Sequence, residues 1–317
     1  MRWWMIIGMA LLLSLLPGCG GGNGGSGGQP ERKSANLLTV NYLDARTVIP
    51  QAHGSTQVQS TESYEVSTTL RVFDALPVQT HLLLDLPATG KTLAYSGPYP
   101  LSSTDGTYSG NVPIKVYWGS GQMVPDHQPY MLTPGMVLPG YQHVKGLKSM
   151  YICSVGFDSP LPISGTYTLS AEGGFFQSWE TPATQQVVAP VTITDPQLPA
   201  VNALQPLHIS WEPVPGAIGY LVIVDSLHDQ QNVSGELAEW SSAPKPIIFE
   251  AIDYHVPYLL PASVHEVTVP ATIFRGCKTI LVRILAHGDP YFDTKSTPNL
   301  RLIGGAMTSA VYGVYEE

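Results

Sequence analysis

Two stretches of the 317-residue chain carry the residue types of catalytic loops. Gly24-Gly25-Ser26-Gly27-Gly28 matches G-x-S-x-G, in which a strained strand-to-helix turn exposes a nucleophilic serine. It lies in a nearly continuous glycine tract, where no strand or helix can hold that strain. Gly90-Lys91-Thr92 has the ending of a phosphate loop, after a candidate strand at Leu82 to Leu86. The first glycine such a loop requires falls at Asp85, and no helix period follows to aim N–H groups at phosphate. No nucleotide is expected to bind. The nine histidines show no H-E-x-x-H or H-x-H spacing; His255 and His265 flank a proline-rich stretch, and His208 and His287 fall on candidate strands. Asp105-Gly106 lacks the alternating oxygen ligands of a calcium loop and reads as a plain turn. Glu236 and Glu239 could be the paired carboxylates of glycoside hydrolysis. Their spacing on a short candidate helix over 234–240 instead predicts neighbours on one solvated face. No catalytic residue, metal or cofactor is implied.

Two further groups remain. Cys153 alternates with Tyr151, Val155 and Phe157 and is expected to point into a core. Cys277 shares a face with Thr279 and Arg283, opposite Ile280, Val282 and Ile284, and is expected to point outward. The reading is two separate cysteines, with an interdomain disulfide as the alternative that an oxidising compartment would permit. Aromatics concentrate in the middle of the chain at Tyr108, Tyr117, Trp118, Tyr130 and Tyr141. An exposed row of such rings can stack on sugars, so Tyr117, Trp118 and Tyr141 are candidate ligand contacts. Their commoner use is to fill cores and cover loops.

The most specific chemistry sits at the start of the chain. Met1-Arg2 supplies one positive charge, and Trp3 to Leu16 is apolar apart from Gly8 and Ser14. That run is short of the roughly 20 apolar residues of a membrane span and suits a signal peptide. It ends in Leu16-Pro17-Gly18-Cys19, which resembles the lipobox of bacterial lipoproteins, although Pro17 departs from the small or β-branched residue common there. The resemblance implies cleavage between Gly18 and Cys19, a diacylglycerol thioether on Cys19 and an acylated (palmitate-type) N-terminus. Gly20 in the next position resembles an outer-membrane address by the sorting rule of enteric lipoproteins. Gly20 to Gly28 is almost all glycine and 29–34 is polar, which describes a flexible tether. Two or more acyl chains, at about 0.8 kcal/mol per buried methylene, anchor stably.

The rest must position whatever function the anchor holds at the membrane. Composition is 44% hydrophobic and 12% charged, with 31 Gly and 28 Pro, which excludes coiled coil and disorder throughout. The net charge of −9 argues against nucleic acid; losing Arg2 with the signal peptide leaves 14 basic against 24 acidic residues. Period-2 alternation dominates: Tyr64/Val66/Thr68/Leu70/Val72, Tyr167/Leu169/Ala171 and Leu207/Ile209/Trp211 face one way, with polar residues between. Gly119-Ser120-Gly121 and Ser164-Gly165 are turn clusters. The fold class is all-β: two antiparallel β-sandwich domains, immunoglobulin-like, after the tether.

The expected organisation is a signal peptide over 1–18, a tether over 19–36, and sandwiches over 37–195 and 196–317. Leu37 to Tyr42 reads as the first strand of the first sandwich and Val187 to Ile193 as its last, with Pro190 at an edge or bulge. Gly119 to Gly146 reads as a long loop or covering flap. In the second sandwich, Trp211-Glu212-Pro213-Val214-Pro215-Gly216 followed by Tyr220 resembles strands B and C of a fibronectin type III domain. Ile280, Val282, Ile284 and Ala286 resemble its strand F, with Ile280 where the family's corner tyrosine is usual. The expectation is a non-catalytic lipoprotein of the bacterial cell envelope with a binding, adhesion or structural role. The alternatives are a glycan-binding lipoprotein and a hydrolase whose site is scattered along the chain.

Overall fold

The computed structural model describes residues 37–49, 59–72, 81–100, 111–119, 128–136, 149–172, 178–185, 187–197, 199–227, 237–242, 259–293 and 299–316. Among them, regular structure is almost wholly β. The first half contributes β1 (Leu37–Ile49), β2 (Gln59–Val72), β3 (Leu82–Asp85), β4 (Thr92–Ala94), β5 (Ser96–Pro100), β6 (Ile114–Trp118), β7 (Tyr130–Leu132), β8 (Ser149–Phe157), β9 (Gly165–Ala171) and β10 (Trp179–Ala183). The second contributes β11 (Ile193–Asp195), β12 (Ala200–Asn202), β13 (Leu207–Trp211), β14 (Gly219–Leu227) and β15 (Leu237–Ser241). It ends with β16 (Leu260–Pro261), β17 (Glu266–Val269), β18 (Thr279–His287), β19 (Tyr291–Asp293) and β20 (Asn299–Tyr315).

One long sheet runs β5-β8-β2-β1-β20-β18-β14-β15-β6-β7, and two small sheets, β10-β9-β3-β4 and β11-β13-β17, complete two sandwiches with it. Neighbouring strands are antiparallel except where β1 and β12 lie parallel to β20 and β6 parallel to β15. The expected alternation holds. Tyr64, Val66 and Leu70 of β2 join Leu82, Leu84, Tyr167, Leu169 and Trp179 in the first core. Leu207, Ile209 and Trp211 join Tyr220, Val222, Val224, Trp240, Ile280, Val282 and Ile284 in the second. Polar intervening residues face away, because successive strand side chains point to opposite faces.

Val188 and Val191 belong to the second core and Leu300 and Leu302 to the first, and one hydrogen-bonded ladder joins the two. β20 pairs with β1 from Leu37↔Asn299 to Val48↔Ala310 and with β18 from Thr279↔Gly313 to His287↔Gly305. Its Leu300 and Leu302 enter the first core, and its Ala306, Ala310 and Tyr312 enter the second. Gly304 lies between them: a Cβ there would sit 3.2 Å from Ile163 Cδ1 and 3.3 Å from Gln185 Nε2. The missing side chain lets one strand pass from core to core.

Four local expectations are corrected. The 234–240 helix is absent where the chain is described: 237–241 is strand β15, bonded to β14 on one side and β6 on the other. Pairing on both edges overrides a weak local propensity. The strand expected over 187–193 is not regular until β11. Val188 and Val191, three apart, are both buried in the second core, a spacing no flat strand allows, and Pro190 cannot donate to a ladder. The long loop expected over 119–146 contains β7, whose three residues are too few to show a period. Cys277 points inward: Gly276 at φ +77° turns the chain just before β18, and the Cys277 thiol, buried, donates to the Phe274 carbonyl at 2.9 Å.

Candidate functional site

Several of the residues singled out from sequence lie outside the described ones: Gly18 and Cys19, the glycine tract, Asp105, Tyr108, Tyr141, Glu236 and His255. Tyr117 and Trp118 are adjacent on β6, so their side chains leave opposite faces of the sheet. Tyr117 packs against the second core, while the Trp118 backbone is clasped by the Gln128 amide, which accepts from its N–H at 2.8 Å and donates to its carbonyl at 2.9 Å. Both rings are half-buried. These two residues therefore do not form a single stacking surface.

Gly90-Lys91-Thr92 closes the hairpin between β3 and β4. Thr92 Oγ1 donates to the Asp85 carboxylate and the Lys91 ammonium sits 4.4 Å from the centroid of the Phe157 ring, so the lysine is spent on a cation–π contact. Cys153 is half-buried beside the first core, and burial raises its thiol's pKa, which makes it a poor nucleophile. Both Cys153 and Cys277 are free thiols.

The histidines are dispersed. His208 stands exposed on β13 between two carboxylates, 3.1 Å from Asp195 and 3.3 Å from Glu266. The imidazole of His265 packs edge-on to Tyr220, centroids 5.9 Å apart, and buried His287 donates from Nδ1 to the Gly288 carbonyl at 2.6 Å. Among the described residues no group of three His, Cys, Asp or Glu side chains could hold a metal ion.

The charged constellation that the structure does assemble was not anticipated. It lies on the face of β14, β15 and β18 opposite the second core. Asp225 of β14 pairs directly with Glu239 of β15, and Arg283 of β18, paired with Ile223, is diagonal to Asp225. Arg283 Nη2 donates to Asp225 Oδ2 at 2.6 Å, with the guanidinium side chain 7% exposed and the carboxylate 16%. Burial disfavours the arginine's charge, but Asp225 and Glu239 outweigh it and hold the group protonated. Glu239 is pushed up to about 7, first by burial and then by the Asp225 charge, against the pull of Arg283. Burial and a like charge raise a carboxyl's pKa in this way. From sequence, the period of β18 places Arg283 on this face, and Asp225 ends the apolar run of β14. Only the sheet order brings Glu239 to them, across the undescribed 228–236.

No protein-family model matches the chain, and no curated protein matches it. Among the described residues no helix is long and apolar enough to cross a membrane. What the structure defines is an all-β protein of two sandwiches built on one sheet.

Proposed function

We propose that this chain is a lipoprotein of the bacterial cell envelope, held to a membrane by acyl chains on Cys19, with a non-catalytic binding, adhesion or structural role. The observation that carries the reading is the order Leu16-Pro17-Gly18-Cys19, a glycine tract, and then β1. The tether feeds directly into a strand paired on both edges, β2 on one side and β20 on the other. A pull on the anchor would be shared by both sandwiches through the ladders of β1, which suits a load-bearing or display role.

The likeness of the second sandwich to fibronectin type III supports a binding-module reading. A three-stranded sheet, β11-β13-β17, faces β15-β14-β18-β20, and Trp211 at the end of β13 packs edge-on to Tyr220 of β14 with centroids 5.4 Å apart. The Tyr220 hydroxyl accepts the Val214 N–H at 2.8 Å, tying down the proline-glycine turn between the two strands. Such modules act through edges and end loops, and the fold alone leaves the ligand open.

The test is Cys19→Ser in a bacterial host fed labelled palmitate. The expected outcome is label on the parent protein and none on the variant. The variant should also leave the membrane fraction or keep its uncleaved leader. Equal labelling and equal membrane association of the two would overturn the proposal. Affinity capture with the anchored parent from detergent-solubilised envelopes would then address the partner.

A further inference from the structure

The carboxyl pair Asp225–Glu239 sits at a mechanically exposed point of the long sheet. β6 and β7 join that sheet only through β15 among the described residues, and β15 is held to β14 by three registered pairs, Ile223↔Ser241, Val224↔Trp240 and Asp225↔Glu239. Beside them the Val222 carbonyl accepts the Ser242 N–H at 2.9 Å and the Ser226 hydroxyl accepts the Ala238 N–H at 2.6 Å. One of the three pairs therefore opposes two acids. Side chains directly opposite across an antiparallel pair have Cβ atoms about 5 Å apart, and like charges there are destabilising.

Among the described residues the surroundings offer one compensating charge. On this face β18 contributes Arg283, β14 contributes Ile223 and Asp225, β15 contributes Leu237 and Ser241, β6 contributes Val116, and β20 contributes Ser309 opposite Arg283. Lys115 of β6 is registered with Ala238 and so lies on the other face. Arg283 is committed to Asp225 at 2.6 Å. Registered directly opposite one another, the Glu239 and Asp225 side chains are close enough for their carboxyls to share a hydrogen bond. Two carboxyl groups can make such a bond only if one of them carries a proton.

We propose that Asp225 and Glu239 hold one proton between them, and that losing it to solvent loosens β15 from β14 and, with it, the β6–β7 hairpin. The inference is independent of the lipoprotein reading. Its sign follows from the raised Glu239: the stabilisation is fully present below the ordinary glutamate range and is lost as pH rises through about 7. The junction is thus tightest in mild acid and weakest above neutrality.

Hydrogen–deuterium exchange of the full chain tests this, with each rate corrected for the intrinsic pH dependence of exchange. Protection of amides in 114–118 and 237–242 should fall by up to about tenfold per pH unit between pH 5 and pH 7, the limit for one linked proton, and then level off. Amides of 280–286, deep in the sheet, should hold theirs. Glu239→Gln keeps the shape, removes the titration and should flatten the slope at 114–118 and 237–242. Asp225→Asn removes the opposing charge, frees Arg283 for Glu239 and should flatten it too, so the test survives if one variant does not fold. A wild-type profile without slope in 114–118 and 237–242, or a wild-type slope retained in either folded variant, would overturn the proposal.

Discussion

The two cores share a sheet but are closed by different chemistry. The second is packed by Trp211, Tyr220, Trp240 and Phe274 against Val and Ile strands, several of them without measurable exposure. The first uses leucine and tyrosine and pairs two side-chain hydroxyls inside, Thr68 with Tyr95, whereas the buried hydroxyls of Tyr167 in the first core and of Tyr220 and Thr308 at the second bond to backbone groups. A core closed by large rings draws its stability from area and fit, whereas one closed by buried hydroxyls depends on every partner being present. The largest effect is expected at Trp240, which is 1% exposed. Trp240→Ala should cost about 3–5 kcal/mol. Fluorine NMR of fluorotryptophan-labelled chain, through a urea titration, would read Trp179 in the first core separately from Trp211 in the second. Both midpoints should fall together, because β20 serves both cores. A Trp179 midpoint that stays put would mean that the ladder across β1, β20 and β18 does not couple them.

That coupling marks the limit of what the sequence made legible. Strands whose buried faces repeat every second residue could be read directly: β2, β9, β13 and β18 show their inward residues in order. Sheet order could not be read, because pairing is a property of two distant segments and neither carries it alone. β1 and β20 are separated by most of the chain and lie parallel, with no turn to announce them. For the same reason the local pattern at Glu239 reads as a solvated helix face, whereas its position against Asp225 is set by a ladder between strands that flank an undescribed stretch. Cys277 departs from its expected direction for a smaller cause: one glycine at positive φ breaks the alternation just before it.

The second effect is expected where the cores meet. Gly304→Val would put a branched side chain into the space between Ile163 and Gln185, where even a Cβ stands 3.2 Å from its neighbour. Overpacking of this kind costs about 1–3 kcal/mol. Gln185 is also held to Ser164, whose hydroxyl donates to the Gln185 carbonyl at 2.8 Å and accepts its N–H at 2.7 Å, so the neighbour cannot simply move aside. The loss should register in the Trp179 signal first, since Ile163 belongs to the first core. An equal or larger first response at Trp211 would assign the strain to the other side of the strand.

The smallest effect separates the two styles of closure. Tyr95→Phe removes one hydroxyl from the first core with almost no change of shape and should cost about 1 kcal/mol, the usual net value of such a bond. Thr68→Val should cost at least as much, because it leaves the buried Tyr95 hydroxyl without its threonine partner. The double variant replaces both groups by apolar ones and should be less destabilised than the sum of the single variants, a coupling readable as a double-mutant cycle in urea. The equivalent cycle on Trp211 and Tyr220, with Trp211→Phe and Tyr220→Phe, also disturbs an aromatic pair and the Tyr220 bond to the Val214 amide. There most of the loss should follow buried area rather than a single partner. If the Thr68–Tyr95 cycle is additive, hydroxyl pairing is not what holds the first core, and the contrast drawn between the two sandwiches fails at its more polar end.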